Sequence, residues 1–433
     1  MQTLSTTPRQ LPRRAILHRF AAAVCGVTAS VLAACGAVPA ASEPPEVRQY
    51  GPQITPAELR QRTFDTLWSH LESDYIYFER PGTSWSALRA RYSDRLVAVS
   101  SGDEFRELIA DLQDDVPTGA FSWETRSERI ENDVSASATY AGIGAFVAFS
   151  EDPLPHIIIL DVMNGSPAQA AGLRAHDSIL GIDDEPITAE EGLGAVGRVR
   201  GLAGTSVRLR ILTPGRAART VTVDRAEVTG DAALSYGTVA GTDVGYMLFP
   251  AVAYEGLAED VVSSMAELTS NRRLSGLILD LRIAGSVSDW PLQELLTMFG
   301  SGIFGEFYSR GESRPVSVTG QDVLSSQSVP LVILVGQHTS GFPEVLAAGL
   351  SVTRRAMVIG QTTSGSVETS SVSYLPDGSR LYVETASFRP IGGAEIGETG
   401  LIPDVVVDAG WDEILPRADP LIDAAMQALT IPG

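Results

Sequence analysis

Residues 332–350 read Val-Ile-Leu-Val-Gly-Gln-His-Thr-Ser-Gly-Phe-Pro-Glu-Val-Leu-Ala-Ala-Gly-Leu, and this stretch decides the fold of the chain. The aliphatic run 332–335 predicts a short buried strand. The glycine, serine and proline residues that follow predict a turn. A helix is predicted over 344–350, with Pro343 in its first turn, where the missing backbone N–H costs nothing.

The same alternation of strands and helices extends outward from this stretch. A second aliphatic run at 356–359 predicts another buried strand, and Gly-Gln-Thr-Thr-Ser-Gly-Ser at 360–366 predicts the loop that follows it. Upstream, strands are predicted at 244–248 and 277–282, with a helix over 254–268 between them. Such an order implies a largely parallel or mixed sheet covered by helices.

Composition restricts the classes of function. The 433 residues predict two or three domains. A formal net charge of −21 argues against nucleic acid or anionic lipid as a main partner. All 32 basic residues are arginine, so the chain contains no lysine. Because a guanidinium group stays protonated at any workable pH, no residue here can serve as a lysine-type general base.

The N-terminus has the pattern of an export signal. Arginines at 13, 14 and 19 precede a short apolar segment, 20–34, and Leu-Ala-Ala-Cys at 32–35 resembles a bacterial lipobox. We therefore predict a lipoprotein signal peptide over 1–35, with Cys35 acylated after cleavage. The alternative is a plain secretory signal that contains Cys35 by coincidence. The proline-containing segment 36–56 predicts a flexible tether between lipid and fold.

The remaining cysteine adds no further chemistry. Cys25 lies inside the predicted signal, so the mature chain would keep only the acylated Cys35. This excludes disulfides and cysteine-ligated metal sites. No set of metal ligands has suitable spacing elsewhere, and the sequence predicts no metal and no cofactor.

A helical N-terminal region is predicted over 57–135. Thr55 followed by proline predicts a helix cap, and Phe64, Leu67, Trp68 and Leu71 recur at the spacing of a buried helix face.

Residues 140–228 resemble a PDZ domain, a small β-sandwich or barrel-like module. The segment 164–173, Asn-Gly-Ser-Pro-Ala-Gln-Ala-Ala-Gly-Leu, matches a run typical of PDZ domains linked to bacterial proteases. The resemblance implies capture of a polypeptide C-terminus on a glycine-rich loop and the strand after it, which pairs with the ligand as an added edge. The implied peptide-binding residues are Gly142, Ile143, Gly144, Ala145 and Phe146. The alternative is a PDZ fold that only packs against its neighbour.

Residues 240–430 resemble the crotonase-like core of the C-terminal-processing, or tail-specific, serine peptidases. The segment 400–405, Gly-Leu-Ile-Pro-Asp-Val, resembles the closing motif of that family. The whole chain is thus identified as a multidomain α/β (α+β) member of this family. The resemblance places Gly341 where the family keeps its nucleophilic serine and Ser366 where it keeps its general-base lysine. The oxyanion turn Asn-Pro-Gly-Gly is replaced by Ile-Ala-Gly-Ser at 283–286.

Two interpretations of function follow. The first is a catalytically degenerate, lipid-anchored protein of the bacterial cell envelope, facing the periplasm or the exterior, that binds polypeptide C-termini or unfolded envelope proteins. The second is an active serine peptidase with a rewired site, in which Ser340 is the nucleophile and His338 its base. The tight turn between these two residues disfavours the second interpretation.

The lipobox yields a direct prediction. Cys35→Ser removes the only thiol that can be acylated at the cleavage site, so the variant should take up no labelled palmitate and should remain an uncleaved or soluble precursor. Metabolic labelling followed by membrane fractionation measures both effects. Palmitate uptake by Cys35→Ser at the wild-type level would rule out this anchor.

Overall fold

The computed structural model describes residues 54–117, 119–130, 141–228, 233–286, 290–397, 399–415 and 418–430. The predicted signal peptide, the lipobox and almost all of the predicted tether lie outside these ranges. Within them, no helix combines the length and the apolar character needed to cross a bilayer.

The N-terminal region is a packed group of three helices. They are α1 (Pro56–Asp74), α2 (Trp85–Ala98) and α3 (Gly102–Asp115), followed by β1 (Phe121–Glu124). The Thr55 hydroxyl accepts a hydrogen bond from the Glu58 amide at 3.2 Å, which confirms the predicted cap. The predicted apolar face of α1 is fully buried, and Trp68 packs edge-on against Trp85.

The second unit has the PDZ layout. Its strands form a sheet in the order β3-β4-β5-β7-β8, with β3 at one edge. Ser166 caps a short helix by accepting a hydrogen bond from the Gln169 amide. The elements are β2 (Ala141–Gly142), β3 (Ala145–Ser150), β4 (His156–Val162), α4 (Pro167–Ala170), β5 (Ser178–Ile182), β6 (Glu185–Pro186), α5 (Val196–Val199), β7 (Ser206–Leu212), β8 (Arg219–Asp224) and β9 (Ala226–Glu227).

A mixed sheet of six strands forms the centre of the third unit. Its order is β10 (Ser235–Thr238), β11 (Val244–Leu248), β12 (Gly276–Asp280), β16 (Leu331–Val335), β18 (Met357–Gly360) and β21 (Val405–Val406). Only the β10–β11 pair is antiparallel. Three helices, α6 (Leu257–Thr269), α7 (Leu292–Phe299) and α8 (Phe342–Val352), share a core with one face, and α9 (Pro420–Thr430) covers the other.

A second sheet joins the third unit to the N-terminal helices. It contains β14 (Gly302–Ser309), β15 (Ser313–Val318), β19 (Thr369–Tyr374) and β20 (Arg380–Pro390), and β1 pairs with β20. Two short strands, β13 (Gly285–Ser286) and β17 (Ser340–Gly341), pair with each other near the end of the central sheet. This architecture confirms the predicted multidomain α/β fold.

Two predicted helices begin at other residues than expected. The helix predicted from 254 begins at Leu257, because Gly256 adopts a left-handed conformation (φ 95°) that ends the preceding turn. The helix predicted over 344–350 begins earlier, at Phe342, with Pro343 in its first turn. Its start matters for function because Gly341 is the residue immediately before it.

Candidate functional site

A cavity of about 510 Å³ lies at the carboxyl ends of the parallel strands. Ala251 follows β11, Ile283 follows β12, His338 follows β16 and Ser364 follows β18, so four neighbouring strands each deliver a loop to it. This edge of an open α/β sheet is where ligands usually bind. The other lining residues are Leu160, Gly285, Ser286, Ser340, Gly341 and Ser366. We call this cavity the cleft.

Gly341 and Ser366 both line the cleft, so the structure brings the two aligned family positions together. Gly341 has φ 70° and ψ −131°, a conformation that residues with a side chain adopt only at a cost of roughly 1–3 kcal/mol. Ser366 is exposed in the loop after β18. Neither residue offers a nucleophile paired with a base.

The buried carboxylate of Glu344 fixes both positions. Its Oε2 accepts hydrogen bonds from the backbone amides of Gly341 (2.9 Å) and Ser366 (3.0 Å). Its Oε1 accepts one from the amide of Gly365 at 2.8 Å. The hydroxyls of Thr363 and Ser364 donate to the same carboxylate. The helix start and the loop after β18 are thereby held by one side chain.

Burial and hydrogen bonding act on Glu344 in opposite directions. Burial raises the pKa of this carboxyl, and the hydrogen bonds from Thr363, Gly365, Gly341 and Ser366 lower it without cancelling the rise. Donors that converge on a carboxylate favour its charged form. Glu344 therefore has a structural role, because its carboxylate is the shared hydrogen-bond acceptor of the helix start and the loop after β18.

The turn that would hold an oxyanion is also altered. The Gly285 amide donates to the Ala251 carbonyl at 3.3 Å, and the Ala284 carbonyl accepts a hydrogen bond from the Ser340 amide at 3.1 Å. Gly285 also packs against the Ser340 hydroxyl, so closely that a Cβ on Gly285 would clash with it. The Gly285 amide is thus already used inside the protein and is not free to stabilise an oxyanion.

His338 and Ser340 line the cleft without forming a nucleophile–base pair. Among the described residues, neither the His338 ring nor the Ser340 hydroxyl has a hydrogen-bond partner. Burial lowers the pKa of His338, with a smaller opposing effect from Asp412. A neutral imidazole could accept a proton, but a general base must lie within hydrogen-bond reach of the group it activates.

Asp280 and Arg282 form a buried structural pair. The Arg282 guanidinium donates to Asp280 at 2.6 Å and to Asp419 at 2.8 Å. The Tyr246 hydroxyl donates to Asp280 at 2.7 Å. This network ties β11, β12 and the start of α9 together. None of its members lines the cleft.

The predicted peptide-binding residues line a groove of the PDZ unit. A cavity of about 300 Å³ runs between β3 and α5 and includes Gly142, Ile143, Gly144, Ala145 and Phe146. Val196 and Val199 of α5 form its opposite, apolar wall. Because β3 is an edge strand, its outer backbone groups can pair with an extended peptide.

A larger apolar cavity, about 670 Å³, was not predicted from sequence. It lies between α7, the β14–β15 hairpin and Phe342, the residue next to Gly341. Trp290, Leu292 and Phe307 are among its apolar residues. Its walls come from separate parts of the chain, so no local sequence pattern predicts this cavity. In the part of the chain that is described, no three His, Cys, Asp or Glu side chains are grouped to hold a metal.

Comparisons with known proteins agree with this layout. The model of "Peptidase family S41" matches residues 243–407, that of the "PDZ domain" matches 134–212, and that of the "Tricorn protease C1 domain" matches 56–114. The chain is 29% identical over 393 residues to the carboxyl-terminal-processing protease of a Picosynechococcus species, covering 84% of this chain and 87% of that protein.

Two further relatives show the same extent of similarity. The chloroplastic C-terminal processing peptidase of Tetradesmus obliquus is 26% identical over 387 residues, which cover 82% of this chain and 78% of that protein. The solved structure of a photosystem II D1 C-terminal processing protease shares the fold, with a TM-score of 0.62 and 22% identity over 82% of this chain and 94% of that one.

Glu344 gives a test of how the site is held. In Glu344→Gln one oxygen becomes an NH2 group, so at least two of the donors on this carboxylate lose their acceptor. We expect the free energy of unfolding to fall by roughly 2–6 kcal/mol, at 1–3 kcal/mol for each of two unsatisfied groups. Denaturant titration measures it. The matched control Glu259→Gln, on the exposed side of α6, should change it by less than about 0.5 kcal/mol. Equal losses in the two variants would contradict the role of Glu344.

Proposed function

Because the chain belongs to the carboxyl-terminal-processing (tail-specific) peptidase family, with a PDZ domain, we propose that it binds polypeptide C-termini and does not cleave them. The observation that carries this proposal is that Gly341 and Ser366, at the two aligned catalytic positions, line the same cleft. No lysine exists anywhere in the chain to replace the missing base. The protein is thus a pseudopeptidase.

The binding surfaces support this function. The PDZ groove offers an edge strand and an apolar wall for a terminal apolar residue. The 670 Å³ cavity beside Phe342 offers space for apolar side chains further along the same polypeptide. Both surfaces suit extended, partly apolar chains, which unfolded or unassembled proteins expose.

The proposed location follows from the sequence. Acylation of Cys35 would anchor the protein to a membrane of the bacterial cell envelope, with the folded part facing the periplasm or the cell exterior. There the partners would be the C-termini of polypeptides and unfolded envelope proteins. No nucleic acid partner is proposed, since the net charge is −21.

Peptide binding can be tested on the whole chain. We expect a peptide with a free apolar C-terminus to bind at least about tenfold more tightly than its C-terminal amide, a difference of about 1.4 kcal/mol. Fluorescence anisotropy with a labelled peptide measures both affinities. Val196→Glu puts a charge in the groove and should abolish the difference, while Val262→Glu, on the exposed face of α6, should preserve it. Equal affinity for acid and amide in the wild type would rule out carboxylate capture.

A peptide-cleavage assay with mass-spectrometric detection tests the proposal that the protein has no peptidase activity. Wild type should give no turnover, because the loss of nucleophile and base together costs a serine hydrolase about a millionfold in rate. Gly341→Ser alone should do little, because the two residues act as a unit. Gly341→Ser with Ser366→Lys should restore only part of the activity, because the Gly285 amide still bonds Ala251.

Ser340→Ala is the discriminating variant in that assay. Turnover by the wild type that Ser340→Ala abolishes would contradict the proposal and identify Ser340 as a relocated nucleophile. We expect the wild type and Ser340→Ala to bind the peptide equally well, and neither of them to cleave it.

A further inference from the structure

Two of the five histidines of the chain lie against one short turn, Trp411–Glu413. Both of them, His156 and His176, belong to the PDZ unit. The His156 Nε2 atom lies 2.9 Å from Asp412 Oδ2, and the His176 Nδ1 atom lies 2.7 Å from the Trp411 carbonyl oxygen.

His156 is held by two acceptors. Its Nδ1 faces the Leu154 carbonyl oxygen at 2.7 Å and its Nε2 faces the Asp412 carboxylate. A carbonyl and a carboxylate can only accept, so both ring nitrogens donate only when the imidazole carries two protons and a positive charge. The ring is almost completely buried, and the Ser178 hydroxyl also donates to Asp412. His156 and Asp412 thus form a buried ion pair between the PDZ unit and the Trp411–Glu413 turn.

His176 is held in the opposite state. Its Nδ1 donates to the Trp411 carbonyl, and its ring lies against the Trp411 ring with centroids 4.1 Å apart. The charged groups that face it are Arg282, which opposes protonation, and Asp280 and Asp419, which favour it. Burial has the largest effect on the pKa of His176 and lowers it, so a neutral ring fits these surroundings best.

The turn also lies at the packing surface between the PDZ unit and the cleft. Ile158 and Leu160 of β4 pack in one apolar cluster with Ala251, Ile283 and Trp411. The Trp411 indole N–H donates to the Ile159 carbonyl at 3.2 Å. Leu160 is also a wall of the cleft, so displacement of the PDZ unit would open the cleft on that side.

We propose that Trp411–Glu413 and the histidines around it form a pH-dependent clamp, which holds the PDZ unit over the cleft only within a bounded range of pH. A further consequence is that acid and alkali release the PDZ unit through different residues. His156 governs the alkaline side, and His176 governs the acid side.

The direction of each pKa shift agrees with this geometry. The hydrogen bond to Asp412 raises the pKa of His156 above 6.5, so its contribution is complete below 6.5 and is lost as pH rises through the raised value. Burial raises the pKa of Asp412, but the hydrogen bonds and charge of His156 lower it overall. Burial lowers the pKa of His176 below 6.5, so its contribution is complete above 6.5 and is lost as pH falls through the lowered value.

A cysteine reporter tests the clamp in the full-length chain. Cys25 and Cys35 are replaced by serine, and Ile158→Cys places a thiol in the packing surface. Its rate of reaction with a thiol reagent, divided by the rate in denaturant at the same pH, gives a protection factor. We expect protection to be greatest near pH 6.5 and to fall by about threefold or more towards both pH 5 and pH 8.5. The second reporter, Val207→Cys in the PDZ core, should stay protected throughout.

Variants test which histidine causes the loss of protection at alkaline pH and which causes the loss at acid pH. His156→Gln should remove the loss of protection at alkaline pH, and Asp412→Asn should do the same if His156→Gln fails to fold. His176→Gln should weaken the loss at acid pH. His70→Gln is the matched control, because His70 pairs with Asp74 on α1, away from the turn, and it should leave the profile unchanged.

Three results would overturn the clamp. They are a flat protection profile between pH 5 and 8.5, an alkaline loss that persists in both His156→Gln and Asp412→Asn, and a Val207→Cys profile that follows that of Ile158→Cys. The last result would mean that the PDZ unit unfolds and does not separate. The measurement needs no peptide, so its failure is distinct from failure of the proposed binding function.

Discussion

The buried carboxylate of Glu344 is the constraint on which the site depends. It receives backbone hydrogen bonds from both sides of the cleft, and the hydroxyls of Thr363 and Ser364 complete its shell. Leaving such donors unsatisfied in a buried place costs about 1–3 kcal/mol each. The geometry that brings Gly341 and Ser366 to the same cleft is therefore required for stability, independently of any chemistry.

Glu344 supports two segments of the cleft firmly, whereas a third segment, the turn at 283–286, has an altered sequence. At 283–286 the Gly285 amide donates to Ala251, the Ala284 amide donates to Leu281, and the Ala284 carbonyl accepts from Ser340. A catalytic site leaves the donors that stabilise an oxyanion unpaired, at a cost in stability. The internal pairing of the Gly285 amide is in line with the proposal that this protein binds polypeptides and does not cleave them.

Much of the fold was predictable because its signals are local. The aliphatic run at 332–335, the Thr55 and Ser166 caps and the apolar face of α1 each depend on neighbours within a few residues. The clustered histidines were not predictable. His156 and Asp412 are separated by 256 positions and meet only through packing of the PDZ unit. The 670 Å³ cavity is also made by distant segments, and its apolar residues look in sequence like ordinary core.

The position of the Trp411–Glu413 turn also determines when the protein can finish folding. The turn anchors β4, yet it is made some 250 residues later, and β1 likewise waits for β20. The PDZ unit can form early from contacts within 141–227, but the assembled arrangement has to await nearly the last segment of the chain. A nascent chain would therefore carry a PDZ groove before it carried a closed cleft.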